Sequence, residues 1–218
     1  EETQGGTNTT LLAAGDQIKD ATIPFKYATV DTAGGLNEGT DHAAVIEIIG
    51  NPGELNVEMN SILSEFGFPT KFLSPVSKDL EKIEIPNYNK EAKKRRDFRN
   101  ITTFTIDPVD AKDFDDALSF KKIDDQRIEV GVHIADVGHF VKEKSIIDNE
   151  AFQRGNSVYL VDRVIPMLPE KLSNVLCSLR PKEDKLTFSV VFRMNFKGEI
   201  LDTWFGKTVI HSNYRFTY

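Results

Sequence analysis

Five aspartates, Asp107, Asp110, Asp113, Asp115 and Asp116, fall within ten residues of one another, and carboxylates so crowded have few uses. In a partly desolvated site, like charges raise one another's pKa and oppose folding unless a cation neutralises them. No His or Cys is interleaved, so the donors are all oxygen. That selects a hard divalent ion, Mg2+ with Mn2+ as the alternative, which keeps several waters and takes substrate phosphate at its open positions. Two simpler readings compete. A solvated acidic turn needs no ligand. A calcium loop needs Gly at its sixth position and Glu at its twelfth, but the sixth residue from Asp107 is Lys112 and no Glu closes the loop. Phe114, between Asp113 and Asp115, suggests a loop anchored in the core with its carboxylates converging on one point.

The elements that must carry this loop are legible by period. Thr102, Phe104 and Ile106 alternate with Thr103 and Thr105, a half-buried strand that ends at Asp107. Ile128, Val130, Val132 and Ile134 alternate with Glu129, Gly131 and His133 in the same way. Leu186, Phe188, Val190, Phe192, Met194 and Phe196 form the clearest strand, turning at Lys197-Gly198 into a second one through Trp204. Leu55, Met59, Ile62, Leu63 and Phe66 fall at helical spacing between Pro52-Gly53 and the stop Gly67 with Pro69. A short helix is expected from Ser77 to Ile83. Ser145 and Asp148 resemble a capping box opening a helix through Arg154, and Pro169-Glu170 opens another running to about Leu179.

The chain has 218 residues, 39% of them hydrophobic, with a formal net charge of −7. This is globular material of mixed α and β type, not a disordered tail or a polycation, so any nucleic-acid contact needs locally placed positive charge. The single cysteine, Cys177, excludes an intramolecular disulfide and suits a reducing compartment, with the cytoplasm as the expectation. No apolar run approaches the roughly 18 residues of a membrane helix, and Glu1-Glu2-Thr3 begins no secretory signal. Lacking an initiator Met and ending on Phe216-Thr217-Tyr218, the chain reads as a piece of something longer.

Residues 1–50 hold eight acidic and two basic residues and only short apolar runs between turns, Leu11 to Ala14, Ile23 to Val30 and Ala43 to Ile49. They read as a few short strands. Residues 51–97 form a helical connector ending in the basic run from Lys90 to Arg96, and residues 98–218 hold the acidic loop.

Thr105 to Ala117 closely resembles the signature loop of the ribonuclease II and ribonuclease R family of 3'-to-5' exoribonucleases, the RNB catalytic domain. Gly131-Val132-His133-Ile134-Ala135-Asp136-Val137, Ser157 to Glu170 and Leu176-Cys177-Ser178-Leu179-Arg180-Pro181 resemble successive family segments in the right order, over residues 97 to 218. The resemblance implies an α/β fold: an OB or cold-shock-like remnant over residues 1–50, a connector over 51–97, and the first part of the catalytic domain over 98–218. It implies a Mg2+-dependent hydrolytic enzyme that degrades single-stranded RNA from the 3' end to nucleoside 5'-monophosphates, monomeric in full-length form and not membrane-bound. An arginine, a glutamate and clamp aromatics of the family lie beyond this stretch. The isolated piece is therefore expected to be inactive, or, as the alternative reading, a noncatalytic RNA-binding or structural fragment of the same fold.

Carried over residue by residue, Asp107, Asp113 and Asp116 resemble the metal-site carboxylates, and Asp115 the carboxylate on which cleavage most depends. Asp110 matches the motif with the weakest claim to a role. Tyr159 matches an aromatic that stacks on the 3'-terminal nucleotide, and Tyr218 a further tyrosine that contacts RNA. A core tyrosine is the plain alternative for Tyr159. His133 is expected to be a hydrogen-bonded structural residue. Asp136 either supports the acidic loop from behind or caps the next turn. The run Lys90 to Arg96 is expected to be a solvated helix face.

Overall fold

The computed structural model describes residues 53–218 in full and, by backbone alone, three short strands before them. The chain divides into two compact units, one comprising the chain up to Phe72 with Tyr159–Ile165, the other Leu73–Val158 with Pro166–Tyr218.

In the first unit, β1 (Thr9–Leu11), β2 (Tyr27–Asp31) and β3 (Ala44–Gly50) form an antiparallel sheet in that order. The rest of the stretch read as an OB-like remnant lies outside the described residues. Helix α1 (Leu55–Glu65) starts where Gly53 N–H meets the Glu58 carboxylate (2.7 Å) and ends where Gly67, at φ +71°, turns the chain so that Phe68 N–H returns to Leu63 C=O (2.8 Å). Its buried side is Val57, Ser61 and Leu63, whereas Leu55, Ile62 and Phe66 are exposed. The helix is where its apolar spacing puts it, but most of the expected stripe faces out.

The second unit is built on a seven-stranded mixed sheet of β4 (Arg96–Asp97), β5 (Thr102–Ile106), β6 (Asp116–Lys122), β7 (Arg127–Ala135), β10 (Asp184–Asn195), β11 (Ile200–His211) and β12 (Tyr214–Phe216). Outside it, β8 (Val158–Tyr159) and β9 (Val164–Ile165) form a separate pair. The order across the seven-stranded sheet is β12-β5-β6-β7-β10-β11-β4. All pairs are antiparallel except the two edge pairs, β12 with β5 and β4 with β11. The β6–β7 turn is locked by Asp124, whose carboxylate accepts the backbone N–H groups of Gln126 and Arg127 at 2.9 and 2.8 Å. Asn195 does the same for Lys197 and Glu199 in the β10–β11 turn, where Gly198 sits at φ +84°.

The strands alternate as expected, but the phase is inverted. Thr103, Thr105, Ser119, His133, Thr187, Ser189 and Thr208 lie on the buried face, while Phe120, Ile134, Phe188 and Phe205 on the other face are 45–66% exposed. The buried face tolerates polar groups because most of them bond to each other. Ser119 Oγ meets His133 Nε2 (2.8 Å), His133 Nδ1 meets Ser189 Oγ (2.6 Å), and Ser189, Thr208 and Thr187 continue the chain of hydroxyls. Gly131 makes room for this, since a Cβ there would stand 2.5 Å from Ser119 Oγ and 2.6 Å from His133 Nε2.

Helix α2 (Ser74–Glu81) begins three residues earlier than its expected start because Pro75 is tolerated in a first turn. After α3 (Tyr88–Ala92) and α4 (Val137–Phe140), α5 (Ile146–Arg154) opens on half of the expected capping box: Ser145 Oγ accepts Asp148 N–H (3.1 Å), but Asp148 accepts the N–H of Lys144 (2.7 Å), one residue before the cap. The helix expected from Pro169 to Leu179 is instead a π-helical segment, Lys171–Leu176. Its N-terminal Lys171 ammonium binds the carbonyls of Leu80, in the last turn of α2, and of Ile83, just beyond it (2.9 and 2.7 Å). Among the described residues no helix is long and apolar enough to cross a membrane.

Candidate active site

The acidic loop connects neighbouring antiparallel strands, leaving β5 at Ile106 and entering β6 at Asp116. Both ends are fixed by backbone bonds: Asp107 N–H donates to Phe216 C=O of β12 (3.1 Å), and the Asp115 carbonyl accepts Ala135 N–H of β7 (3.0 Å). Between them Phe114 is buried. Its carbonyl accepts Leu179 N–H (2.8 Å), and its N–H donates to Ser178 Oγ (3.1 Å). From the other side Arg215 of β12 donates to the carbonyls of Pro108 (2.8 Å) and Val109 (2.7 Å) and lays its guanidinium 4.8 Å above the Phe114 ring. The loop is thus anchored in the core, as Phe114 suggested.

Four of the five carboxylates act on one another. Desolvation, then the charges of Asp116 and Asp113, raise Asp107 above the ordinary carboxylate range, against the pull of the Thr105 hydroxyl and the Arg215 charge. Asp115 is raised first by desolvation and then by Asp113, Asp116 and Asp107, although its side chain still reaches solvent. Asp110 is exposed and is not among the groups that shift either.

The carboxylates do not converge as tightly as expected. Among the described residues no three His, Cys, Asp or Glu side chains form a ready metal cage. The donor chemistry nonetheless fits a hard cation. One carboxylate oxygen, Asp107 Oδ2, is buried without a hydrogen-bond partner, an arrangement costly for a carboxylate and natural for a ligand. Mg2+ needs only one or two carboxylates besides its waters and a phosphate.

The remaining candidates separate clearly. Tyr159 belongs to the first unit, on the hairpin of β8 (Val158–Tyr159) and β9 (Val164–Ile165), and is 67% exposed rather than packed as a core tyrosine. That hairpin is closed by Leu160 N–H on Arg163 C=O (2.8 Å), and Arg163 also binds Asn56 Oδ1 (2.5 Å). Tyr218 is almost fully exposed.

His133 is fully buried between two hydroxyls. Burial, then the Arg96 charge, push its pKa down to about 4, so it is a neutral structural imidazole. Asp136 stands at the N-cap of α4 without capping it through its side chain. Its carboxylate is paired with Arg95 (2.7 Å) and Lys207 (3.7 Å), whose cations satisfy a carboxylate with little access to water. The basic run is likewise not a uniformly solvated face. Lys93 and Lys94 are exposed, but Arg95 is buried, and Arg96 binds Glu129 (2.8 Å) and lies over the Phe98 and Trp204 rings. Ser178 and Arg215 are the residues sequence reasoning missed. Ser178 lay inside a matched segment, but a serine flanked by apolar residues gives no sign that its partner is 64 positions away.

Residues 95–218 match the RNB domain. The chain is 49% identical over 179 residues to DIS3-like exonuclease 2 of Xenopus tropicalis, covering 80% of this chain and 21% of that protein. It is 41% identical over 182 residues to ribonuclease R 2 of Lactococcus lactis, covering 84% and 27% respectively. It therefore spans about a fifth to a quarter of the length of these curated relatives. In structure it is similar to Mycoplasma genitalium RNase R solved in complex with double-stranded RNA, with a TM-score of 0.81 and 26% identity over 95% of this chain and 37% of that one. It is similar as well to that enzyme in complex with ribose-methylated single-stranded RNA, with a TM-score of 0.75 and 30% identity over 81% of this chain and 27% of that one.

Proposed function

The chain belongs to the RNB domain family, and from that premise we propose that it carries the metal-binding part of a hydrolytic 3'-to-5' exoribonuclease acting on single-stranded RNA. The observation that carries the reading is the core-anchored loop in which desolvation and then neighbouring carboxylates raise Asp107 and Asp115, beside a buried, unpartnered carboxylate oxygen. Fold alone would not supply chemistry; these side chains do.

Asp107, Asp113 and Asp116 would hold Mg2+, with Mn2+ able to replace it. When bound, the ion supplies positive charge for the scissile phosphate and a readily deprotonated water. Asp115, raised first by desolvation and then by the charges of Asp113, Asp116 and Asp107, is the carboxylate we assign to take the proton of the attacking water. Tyr159 offers an exposed ring for the 3'-terminal base, and Tyr218 a second aromatic contact along the strand. The products are nucleoside 5'-monophosphates. A relative solved with single-stranded and with double-stranded RNA supports RNA as the substrate, and the buried thiol of Cys177 suits a reducing cytoplasm. A monomer is the proposed state.

The test is release of labelled nucleoside 5'-monophosphate from a short single-stranded RNA by the protein that contains this chain. Turnover is expected with Mg2+, none with a chelator, and a severe loss in Asp115→Asn. Equal degradation by wild type and Asp115→Asn, or undiminished degradation with chelator present, overturns the assignment.

A further inference from the structure

Ser178 lies outside the acidic loop yet closes it. The residue is fully buried and directly follows Cys177 at the end of the π-helical segment. Its hydroxyl serves twice: Oγ accepts Phe114 N–H (3.1 Å) and donates to Lys112 C=O (2.8 Å). These two backbone groups stand on either side of Asp113. The next residue, Leu179, then donates its own N–H to Phe114 C=O (2.8 Å). The stretch bearing Asp113 and leading into Asp115 therefore draws its hydrogen bonds from a distant segment, where a self-contained turn would satisfy them internally.

We infer that Ser178 is a positioning residue of this site: by bridging the peptides that flank Asp113 it sets where the Asp113 and Asp115 carboxylates stand, and hence how well the loop holds a divalent cation. The inference rests on the reading of that loop as a metal site. The chemistry of the bridge explains the residue type. One small buried atom must donate and accept at once, which a hydroxyl does, an alanine methyl cannot, and a thiol does only weakly. Supports of this kind commonly tune metal affinity about 10- to 100-fold without touching the ion.

The test compares Ser178→Ala, and Ser178→Thr as the variant that keeps the hydroxyl, with wild type, each in the protein that contains this chain. It measures Mn2+ binding by titration calorimetry, hydrogen exchange of the loop amides without metal, and thermal melting. Ser178→Ala is expected to weaken Mn2+ binding about tenfold or more and to speed exchange at Phe114 while β7 and β10 exchange as before, with Ser178→Thr restoring both. Should the alanine variant not fold, Ser178→Cys, which keeps the volume and weakens both bonds, is expected to give the same shifts. An alanine variant that folds and matches wild type in Mn2+ affinity and loop exchange overturns the role of Ser178, as does a threonine variant no better than alanine. A wild-type chain indifferent to Mn2+ is a different result: it defeats the metal reading itself, and this inference with it.

Discussion

Arg95 Nη1 lies 2.7 Å from Asp136 Oδ2, with both side chains almost wholly removed from water. Arg95 extends the network to Glu91 (3.4 Å) and to His139 Nδ1 (3.2 Å), and Lys207 approaches the same Asp136 oxygen at 3.7 Å. The network ties the residues that precede β4 to the end of β7, on the sheet that presents the acidic loop.

Breaking a buried pair by deleting one partner strands the other charge. Asp136→Ala is therefore expected to cost about 3 kcal/mol, while an Arg95→Met, Asp136→Leu double variant recovers most of it. Urea unfolding measures both, and a single variant as stable as wild type would show that Glu91 and solvent already compensate Arg95.

His133 gives the second unit a defined acid response. Its folded-state pKa is lowered to about 4 from 6.5 by burial and then by Arg96. The unfolded chain therefore binds the proton first, so this contribution to stability is complete above pH ~6.5 and declines as the pH falls toward 4, by about 3 kcal/mol at most. Below that the folded imidazole is protonated too and the loss stops. In His133→Gln this part of the pH slope should vanish. A variant with the wild-type slope between pH ~6.5 and 4 would assign acid sensitivity to other groups.

Gly131→Ala is expected to destabilise the sheet by roughly 1–3 kcal/mol through overpacking, because the new methyl would fall 2.5 Å from Ser119 Oγ and 2.6 Å from His133 Nε2. Removing one of the two obstacles tests the cause: in a Ser119→Ala background the same substitution should cost less. Equal cost in both backgrounds, read from thermal or chemical unfolding, would clear Ser119 and leave His133 or the backbone as the source.

Which features the sequence made legible follows from the range of the interactions that fix them. The α5 start is written in Ser145 and Asp148, and the β10–β11 turn in Lys197-Gly198, because a cap or a tight turn is settled within a few residues. Strand period was legible, but not which face is buried. Thr103, Thr187 and Thr208 can go inside because they find neighbours to bond, a fact of the assembled sheet rather than of any one strand. The acidic loop stood out by composition. Its supports did not, since Ser178 and Arg215 act across 64 to 107 residues of chain. The same limit hid the pairing of Asp136, whose partner Arg95 is 41 residues away in a run read as solvated.

The exposed ring of Tyr159 sets the last expectation. A base stacked on an aromatic face is worth about 1–3 kcal/mol, so Tyr159→Ala should weaken binding of a short single-stranded RNA roughly 5- to 150-fold, while Tyr159→Phe, which keeps the ring, should bind nearly as wild type. Fluorescence anisotropy with a 3'-hydroxyl oligonucleotide in Mg2+ measures both. Salt distinguishes the sources of affinity, because stacking neutralises no phosphate and the alanine variant should keep the wild-type dependence on salt concentration. Equal affinity of the alanine and wild-type proteins would remove Tyr159 from the RNA path. A loss shared equally by the phenylalanine variant would assign its contribution to the hydroxyl instead of the ring.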